Sequence, residues 1–238
     1  MKIITWNASM RFRDKIEEIL PFEADILVIP ECEAPEKWKN SSHLQFINQF
    51  LWFGDNVNKG IGVISLNINY QIEIHPSYNR EFRYIIPLIV DTGYEKCTLF
   101  AIWTQKTKKQ FDSYIGQIYL ALTYYKSLLQ EPCILAGDWN SNKIFDYIKR
   151  VGTHSEVVEY LKSVGITSAY HKYFNEVQGK ESKPTHYFRK NKERPFHIDY
   201  VFASESVLKR LSIFEIGTFE KWIMFSDHAP IYTVFNKW

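Results

Sequence analysis

The apolar runs of this chain are short, and four of them meet polar side chains at one end. Asn7 follows IITW, Glu31 follows DILVIP, Asp138 and Asn140 follow CILAG, and Asp227 and His228 precede APIYTVF. Short β-branched runs bounded by polar residues read as strands buried on one or both faces. Strand ends that share one edge of a sheet can converge on one cleft. The pattern therefore constrains the chain to a sheet scaffold with its chemistry at the rim.

Between the first two runs, Phe12, Ile16, Ile19 and Leu20 recur at helical spacing, and Ser9 is placed to cap that helix by accepting a bond from a free N–H. Strand-like blocks follow at 62–66, 70–75, 83–90 and 97–104, separated by Asn-rich, Gly-containing or charged turns. A long helix is predicted over 111–129, with Phe111, Ile115, Ile118, Leu122, Tyr125 and Leu129 on one stripe and Pro132 ending the pattern. It leads into a strand at 133–136. A second helix over 155–164 carries Val157, Val158, Leu161 and Val164 on one side and meets Gly165 as its stop. The chain returns to β at 197–203 and 230–235. Strands interleaved with a few amphipathic helices, without regular βαβ alternation, predict an α+β fold of mixed sheets in a two-sheet sandwich, helices outside. No repeat, low-complexity tract or linker divides the 238 residues, so a single domain over 1–238 is expected.

A 45% hydrophobic content with only 10 Gly and 9 Pro supplies a large core and excludes disordered or collagen-like chains. The 29 basic and 27 acidic residues leave a net charge of +2, which excludes a histone-like polybasic protein but permits a local basic patch. Cys32, Cys97 and Cys133 are too few and too widely spaced for a disulfide framework or a metal knuckle, and are expected as reduced, buried thiols. No run resembles a signal peptide or an apolar span of about 18 residues, so a cytoplasmic protein without a membrane segment is expected. Protein partners and oligomeric state are open.

Oxygen donors with one His suit a hard divalent cation such as Mg²⁺ or Mn²⁺, and no His/Cys cluster stands at zinc spacing. Each residue also has a plain structural role open to it. Asn7 can close a turn, Glu31 can be a solvated charge, GDWN can form an Asx turn and SDH can form a turn or cap. Asp199 in HIDYVFA is different, because a carboxylate inside a strand needs a partner.

Taken together, TWN at 5–7, DILVIPE at 25–31, LAGDWN at 135–140, HIDYVFAS at 197–204 and SDHAPI at 226–231 resemble the endonuclease/exonuclease/phosphatase superfamily. Its members share the fold of pancreatic deoxyribonuclease and include exonuclease III-like nucleases. The strings stand in the family's order along nearly the whole chain. LKSVGITSAY at 161–170, followed by PTH at 184–186, is similar to the segment before the HIDY-type strand. The resemblance implies a four-layer α/β/β/α sandwich, deoxyribonuclease I-like, and a hydrolase of phosphoric esters that uses Mg²⁺ or Mn²⁺. Glu31 would be the principal metal ligand, helped by Asn7 and Asp227. Asp138 would orient or deprotonate the attacking water, and Asn140 would hold that water or a phosphate oxygen. His228 would contact the scissile phosphate, held as imidazolium and in its tautomer by Asp199. The substrate implied first is DNA or RNA, cut to a 5′-phosphate and a 3′-hydroxyl. The alternatives are a phosphatase or phosphodiesterase acting on a small molecule or lipid headgroup, and a noncatalytic member binding nucleic acid or protein.

Two positions depart from the family's pattern. Ser9 stands where many nuclease members carry a second acidic residue, and the central strand LFAIWTQ offers Trp103 or Thr104 in place of a phosphate-contacting His or Tyr. Gln105 and Lys106 could supply donors there, and Trp103 is open between core and cleft. Lys106, Lys108 and Lys109 form one basic cluster. Arg189, Lys190, Lys192 and Arg194 form another, among His186, Tyr187, Phe188 and Phe196. Cations neutralise phosphates and rings stack on bases, so His186, Arg189 and Lys190 are candidate substrate contacts, with a solvated charged loop as the alternative. Of Trp38, Trp52, Trp139 and Trp222, Trp139 has the best claim to the cleft, lying between Asp138 and Asn140.

Overall fold

Period-two alternation buries both faces of the central strands, so one chain can feed three apolar layers. The structure, a computed structural model, describes residues 1–130 and 132–236. Glu131, Lys237 and Trp238 of the expected domain lie outside the described residues. In chain order the strands are β1 (Lys2–Thr5), β2 (Ile26–Cys32), β3 (Gln49–Asn56), β4 (Lys59–Ser65), β5 (Gln71–Ile74), β6 (Ile85–Asp91) and β7 (Lys96–Trp103). They continue as β8 (Cys133–Asp138), β9 (Ile166–Ser168), β10 (His186–Tyr187), β11 (Pro195–Phe196), β12 (Asp199–Ser204), β13 (Leu211–Ile216) and β14 (Ile231–Phe235). One six-stranded sheet runs β13-β14-β1-β2-β4-β3 and the other β5-β6-β7-β8-β12-β9, while β10 and β11 form a small ribbon. The pairs β1–β2 and β7–β8 are parallel, so both large sheets are mixed.

The expected α+β sandwich of two mixed sheets is what the chain forms. Between the sheets lie Ile26, Val28 and Val63 from one and Leu88, Leu99, Ala136 and Val201 from the other. The opposite side chains of the same strands are buried too. Leu27 and Ile29 pack outward with Phe12, Ile16, Trp38 and Trp222, and Phe100, Leu135 and Phe202 pack outward beneath helices α1 (Ile115–Tyr124) and α2 (His154–Ser163). Cys32, Cys97 and Cys133 are buried free thiols, whose burial raises their pKa values. Among the described residues, no helix is long and apolar enough to cross a membrane.

Three local expectations need correction. The segment after β1 forms 3₁₀ turns at Phe12–Asp14, Ile16–Glu18 and Leu20–Phe22 rather than an α-helix. Buried Glu33 takes the N–H groups of Phe12 (2.7 Å) and Arg13 (2.9 Å), and the apolar stripe still reaches the core. Ser9 caps nothing: Ser9, Met10 and Arg11 all have left-handed φ, and the Ser9 N–H donates to Asn7 Oδ1 at 3.0 Å. The helix expected over 111–129 is α only over Ile115–Tyr124, with 3₁₀ turns on both sides. The Phe111 carbonyl accepts the Val151 N–H and the Tyr114 N–H goes to the Gln105 carbonyl, so tertiary partners take groups that a longer helix would pair internally. The second helix does match its pattern, with a Thr153/Glu156 capping box and Gly165 at φ 79 just beyond its end.

Candidate active site

The ends of β1, β2 and β8 and the starts of β12 and β14 meet at one edge of the sandwich. Parallel β1–β2 and β7–β8 bring strand ends side by side, and antiparallel β12 aligns its first residue, Asp199, with the last of β8, Asp138. Backbone irregularities turn the polar side chains out of the strand pattern. The β2–β4 register shifts between Pro30 and Cys32, and Glu31, the extra residue, has φ 59. Such a bulge re-aims a side chain at the rim of a sheet. Asn140 has φ 46, a second left-handed residue at the same edge. Gly137 precedes Asp138 at φ 147, where an added Cβ would lie 1.8 Å from the Ile102 carbonyl oxygen; only glycine allows that approach of β8 to β7.

Asp138 is the hub. Its Oδ2 accepts bonds from Asn7 Nδ2 and Asn140 Nδ2, both at 2.9 Å, and its Oδ1 accepts the Asn140 N–H at 2.9 Å. Asn7 Nδ2 also reaches Glu31 Oε1 at 3.5 Å. Burial and the nearby Asp199 charge push the Asp138 carboxyl well above its ordinary range, against the pull of His228 and the amide donors. Across from it, His228 Nδ1 lies 2.9 Å and 3.1 Å from the two Asp199 oxygens. Burial opposes a charge on that ring, but Asp199 and Asp138 outweigh it and drive its pKa well up, so His228 is an imidazolium near neutrality. Asp227 is held down to about 2: burial raises it, and His186 and His228 more than reverse that.

Hydroxyls brace this arrangement. Thr185 Oγ1 accepts the N–H groups of Ile198 and Asp199 at 3.0 Å, and Ser226 Oγ donates to the Asn7 carbonyl at 2.7 Å while accepting the His228 N–H at 3.0 Å. Thr104 Oγ1 donates to the Trp139 carbonyl at 2.6 Å and its own carbonyl accepts Asn140 Nδ2 at 3.1 Å, so Thr104 braces the loop. Lys59, at the start of β4, reaches Glu31 Oε1 at 3.1 Å and lies over the Trp103 ring at 5.4 Å. Sequence reasoning missed Lys59 and Thr185. A cation opposite a bulge is visible only once β2 and β4 are paired.

Asn7, Glu31, Asp138 and Asn140 thus form one bonded group and Asp199 and His228 a second, the two meeting where atoms of Asp138, Asp199 and His228 lie within 4.8 Å of one another, with Asp227 beside His228 in the chain. The candidate substrate contacts divide. His186 is at this site: its Nε2 lies 3.6 Å from Asp227 Oδ2 and its ring 4.5 Å from that of His228. It borders a cavity of about 310 Å³, which Asn140, Phe145, Phe188, Phe196 and Arg194 also line. Arg189 and Lys190 are exposed on a left-handed turn next to it, Lys106 is exposed, and half-buried Gln105 spends its N–H on Gln117. Two tryptophans are core residues instead. Trp139 is fully buried and stacks on Phe202 at 4.6 Å, because the residue after Asp138 turns inward beneath α2. Trp103, 4% exposed, packs between the sheets against Tyr84. Neither offers a face to a ligand. Trp38 and Trp222 are buried as well.

Carboxylate oxygens of Asp138 and Asp199 and a ring nitrogen of His228 lie within 4.8 Å of one another, close enough to share an ion. Their hydrogen bonds argue for another division of labour: Asp199 is committed to His228 Nδ1, and Asp138 to three N–H donors. Glu31, at its bulge, is met among the described residues by the Asn7 amide and the Lys59 ammonium, so its carboxylate is the one free to exchange partners. Its carboxylate, the amide oxygen of Asn7 and the carboxylate of Asp227 are all oxygen donors, the chemistry that fits a hard divalent cation.

Residues 4–228 match the model of the Endonuclease/Exonuclease/phosphatase family. Curated protein sequences contain no significant match. Among solved structures, the 3′ phosphatase NExo from Neisseria, bound to a product DNA hairpin, is similar at 18% identity and a TM-score of 0.71, with 100% of both chains covered. An AP endonuclease from Archaeoglobus fulgidus is similar at 17% identity and a TM-score of 0.72, again over 100% of both chains. The endonuclease domain of TRAS1, a telomere-specific non-LTR retrotransposon, is 14% identical with a TM-score of 0.66, over 98% of this chain and 96% of that one.

Proposed function

The chain belongs to the endonuclease/exonuclease/phosphatase family, and from that premise we propose that it is a phosphoesterase dependent on Mg²⁺ or Mn²⁺ that hydrolyses the phosphodiester bonds of a polynucleotide. The observation that carries this reading is the facing pair of buried groups at the sheet edge: Asp138 tied to Asn7 and Asn140, and Asp199 tied to His228. A noncatalytic scaffold has no need of two buried carboxylates and a buried imidazolium at one rim, because each burial costs stability.

The phosphate sits with an oxygen on His228, whose charge Asp199 maintains, so the negative charge that grows in the transition state meets a fixed cation. Asp138, with its proton affinity raised by burial, takes a proton from the attacking water, and Asn140 aligns that water or a phosphate oxygen. Glu31, Asn7 and Asp227 would hold the metal, which when bound would supply further neutralisation of the phosphate charge. A nearby cation and exposed Arg189, Lys190 and Lys106 favour a long anionic substrate.

A second reading has its own support. The cavity of about 310 Å³ beside Asn140 is of a size for one small group next to the phosphate, as in a terminal phosphate or a small phosphoester. Incubating the purified protein with single-stranded DNA, RNA, abasic duplex, a 3′-phosphorylated oligonucleotide and an inositol phosphate, each with Mg²⁺, Mn²⁺ or chelator, separates the two. Cleavage within or at the end of a polynucleotide, abolished by chelator, is the expected result. Turnover of the inositol phosphate alone would favour the second reading, and no turnover of any substrate would end both.

A further inference from the structure

A second cavity, of about 400 Å³, opens on the same edge of the sandwich. It lies between the outgoing end of β3, the segment after β5 and the segment entering β6, and its walls carry Trp52, Tyr78, Tyr84, Arg80, Arg83 and Asp55. Strand order puts it on the opposite flank of the catalytic cluster from the cavity beside Asn140. β6 and β12 stand on either side of β7–β8, and β4 and β14 stand on either side of β1–β2.

Its surface carries the two kinds of group that recognise unpaired nucleotides. Arg80 and Arg83 are exposed cations; Arg83 forks onto Asp55, with Nη2 at 2.6 Å from Oδ1, and Arg80 has no ion pair among the described residues. Tyr78 is half-buried, its ring edge-on to Phe53 at 5.6 Å. Tyr84 is held at φ 64, a left-handed conformation unfavourable for an aromatic residue, while its carbonyl still accepts the Trp103 N–H at 2.8 Å. That turn takes Tyr84 out of the strand and lays its ring on Trp103, 5.0 Å away.

A relay of side-chain contacts also links the cavity to the catalytic centre. Glu31 contacts Lys59, Lys59 lies over Trp103, Trp103 packs on Tyr84, and Tyr84 lines the cavity. A chain of phosphates leaving the reacting centre on this side meets Lys59 first and the two arginines next.

We propose that this cavity holds the part of a single-stranded polynucleotide that extends away from the scissile phosphate on the flank opposite Asn140, with a base against Tyr78 and Tyr84 and phosphates on Arg80 and Arg83. This rests on the phosphoesterase reading above and narrows it: the favoured substrate is unpaired, long enough to reach both flanks, and gains affinity from nucleotides that do not react. A base in a duplex is already stacked and has no free face for the tyrosines, whereas a splayed one does. A small phosphoester bound at the reacting centre has no such extension to offer.

Binding without turnover tests the proposal separately from catalysis. Fluorescence anisotropy in chelator, with a labelled eight-residue oligodeoxythymidylate, its oligouridylate counterpart and a blunt duplex of equal length, is compared for the native protein and the variants Arg80→Ala, Tyr78→Ala and Tyr78→Phe. The native protein binds one or both single strands more tightly than the duplex. Arg80→Ala and Tyr78→Ala weaken single-strand binding at least tenfold, Arg80→Ala also flattens its salt dependence, and Tyr78→Phe, which keeps the ring, restores binding to within about threefold. Circular dichroism verifies that each variant is folded. Equal affinity of native and Ala variants for both single strands would overturn the proposal, as would preferential binding of the duplex. Loss of all Mg²⁺- or Mn²⁺-dependent cleavage with these binding effects intact would sink the catalytic reading and leave the binding surface standing.

Discussion

Asp199 and His228 join the two sheets: the first residue of β12, in one sheet, holds both carboxylate oxygens within 3.1 Å of the ring of a residue just before β14, in the other. The pair therefore serves cohesion and, in the function proposed above, chemistry as well. Asp199→Asn keeps a hydrogen-bond acceptor but removes the charge that favours imidazolium. Hydrolysis should fall on the order of 10²- to 10⁴-fold, and the alkaline limb of kcat/KM should move down by about one pH unit or more as His228 loses its proton more readily. An unmoved alkaline limb in the residual activity would show that Asp199 does not set the state of that ring.

Asp138→Asn separates activity from stability. Asp138 has a raised pKa, so its folded form resists ionisation, and the stability it withholds grows as pH rises from its unfolded value toward its folded one. Replacing it removes a buried charge beside Asp199 at the cost of one acceptor. At pH 8 the variant should melt no lower than the native protein while hydrolysis falls on the order of 10³-fold. Calorimetry and a single-turnover assay on the same sample decide it; substantial residual turnover would remove Asp138 from the role of base.

Lys59→Met should strengthen metal binding. Its ammonium stands 3.1 Å from Glu31 and competes with any cation for that carboxylate. Near solvent, a competing unit charge at that range is worth about 1 kcal/mol, or roughly fivefold in affinity. Titration with Mn²⁺ followed by electron paramagnetic resonance measures it, and weaker binding in the variant would contradict the competition.

Gly137→Ala should be among the most damaging small substitutions. A methyl group 1.8 Å from the Ile102 carbonyl oxygen, on a backbone at φ 147, forces β8 away from β7. The cost should exceed about 3 kcal/mol, combining overpacking with backbone strain, and lower Tm by about 6 °C or more. A melting curve matching the native one would refute the close approach.

Acid should weaken the layer behind the site. His154, fully buried between Ser141 and Gln178, is pushed down to about 4 by burial. From pH 6.5 to 4 the unfolded chain takes up a proton on this ring that the folded chain refuses, so stability falls as pH is lowered through that window, by up to about 3 kcal/mol. Glu181 is held at about 2, burial being outweighed by His171, Asn142 and the Gly179 N–H, and extends the loss below pH 4.5. His154→Gln should flatten the upper part of this dependence in urea unfolding; an unchanged slope between pH 6.5 and 4 would exclude His154 as its source.

The sequence was most informative where local pattern and tertiary demand coincide. Short apolar runs such as 97–104 and 133–136 became β7 and β8, and polar residues at strand ends, Asn7 and Asp138 among them, came together at one edge as expected. Legibility failed where a distant partner decides. The carboxylate of Glu33 reshapes the segment at 12–22, the Val151 and Gln105 contacts shorten α1, and β3, with its mixed polar and aromatic sequence, became a strand only because β4 offers it an edge. Trp139 shows the same limit within the site: position next to Asp138 does not reveal that its ring faces the other layer. Lys59 became readable only through the bulge at Glu31.

The pairing of β1 with β14, in which Lys2 faces Val234, has a consequence for folding. Ser226 and Asn7 stand 219 positions apart, yet the Ser226 hydroxyl bonds both the Asn7 carbonyl and the His228 N–H. The polar cluster is therefore incomplete until β14 docks beside β1, and the slow, entropy-limited closure of that long loop doubles as the step that assembles it.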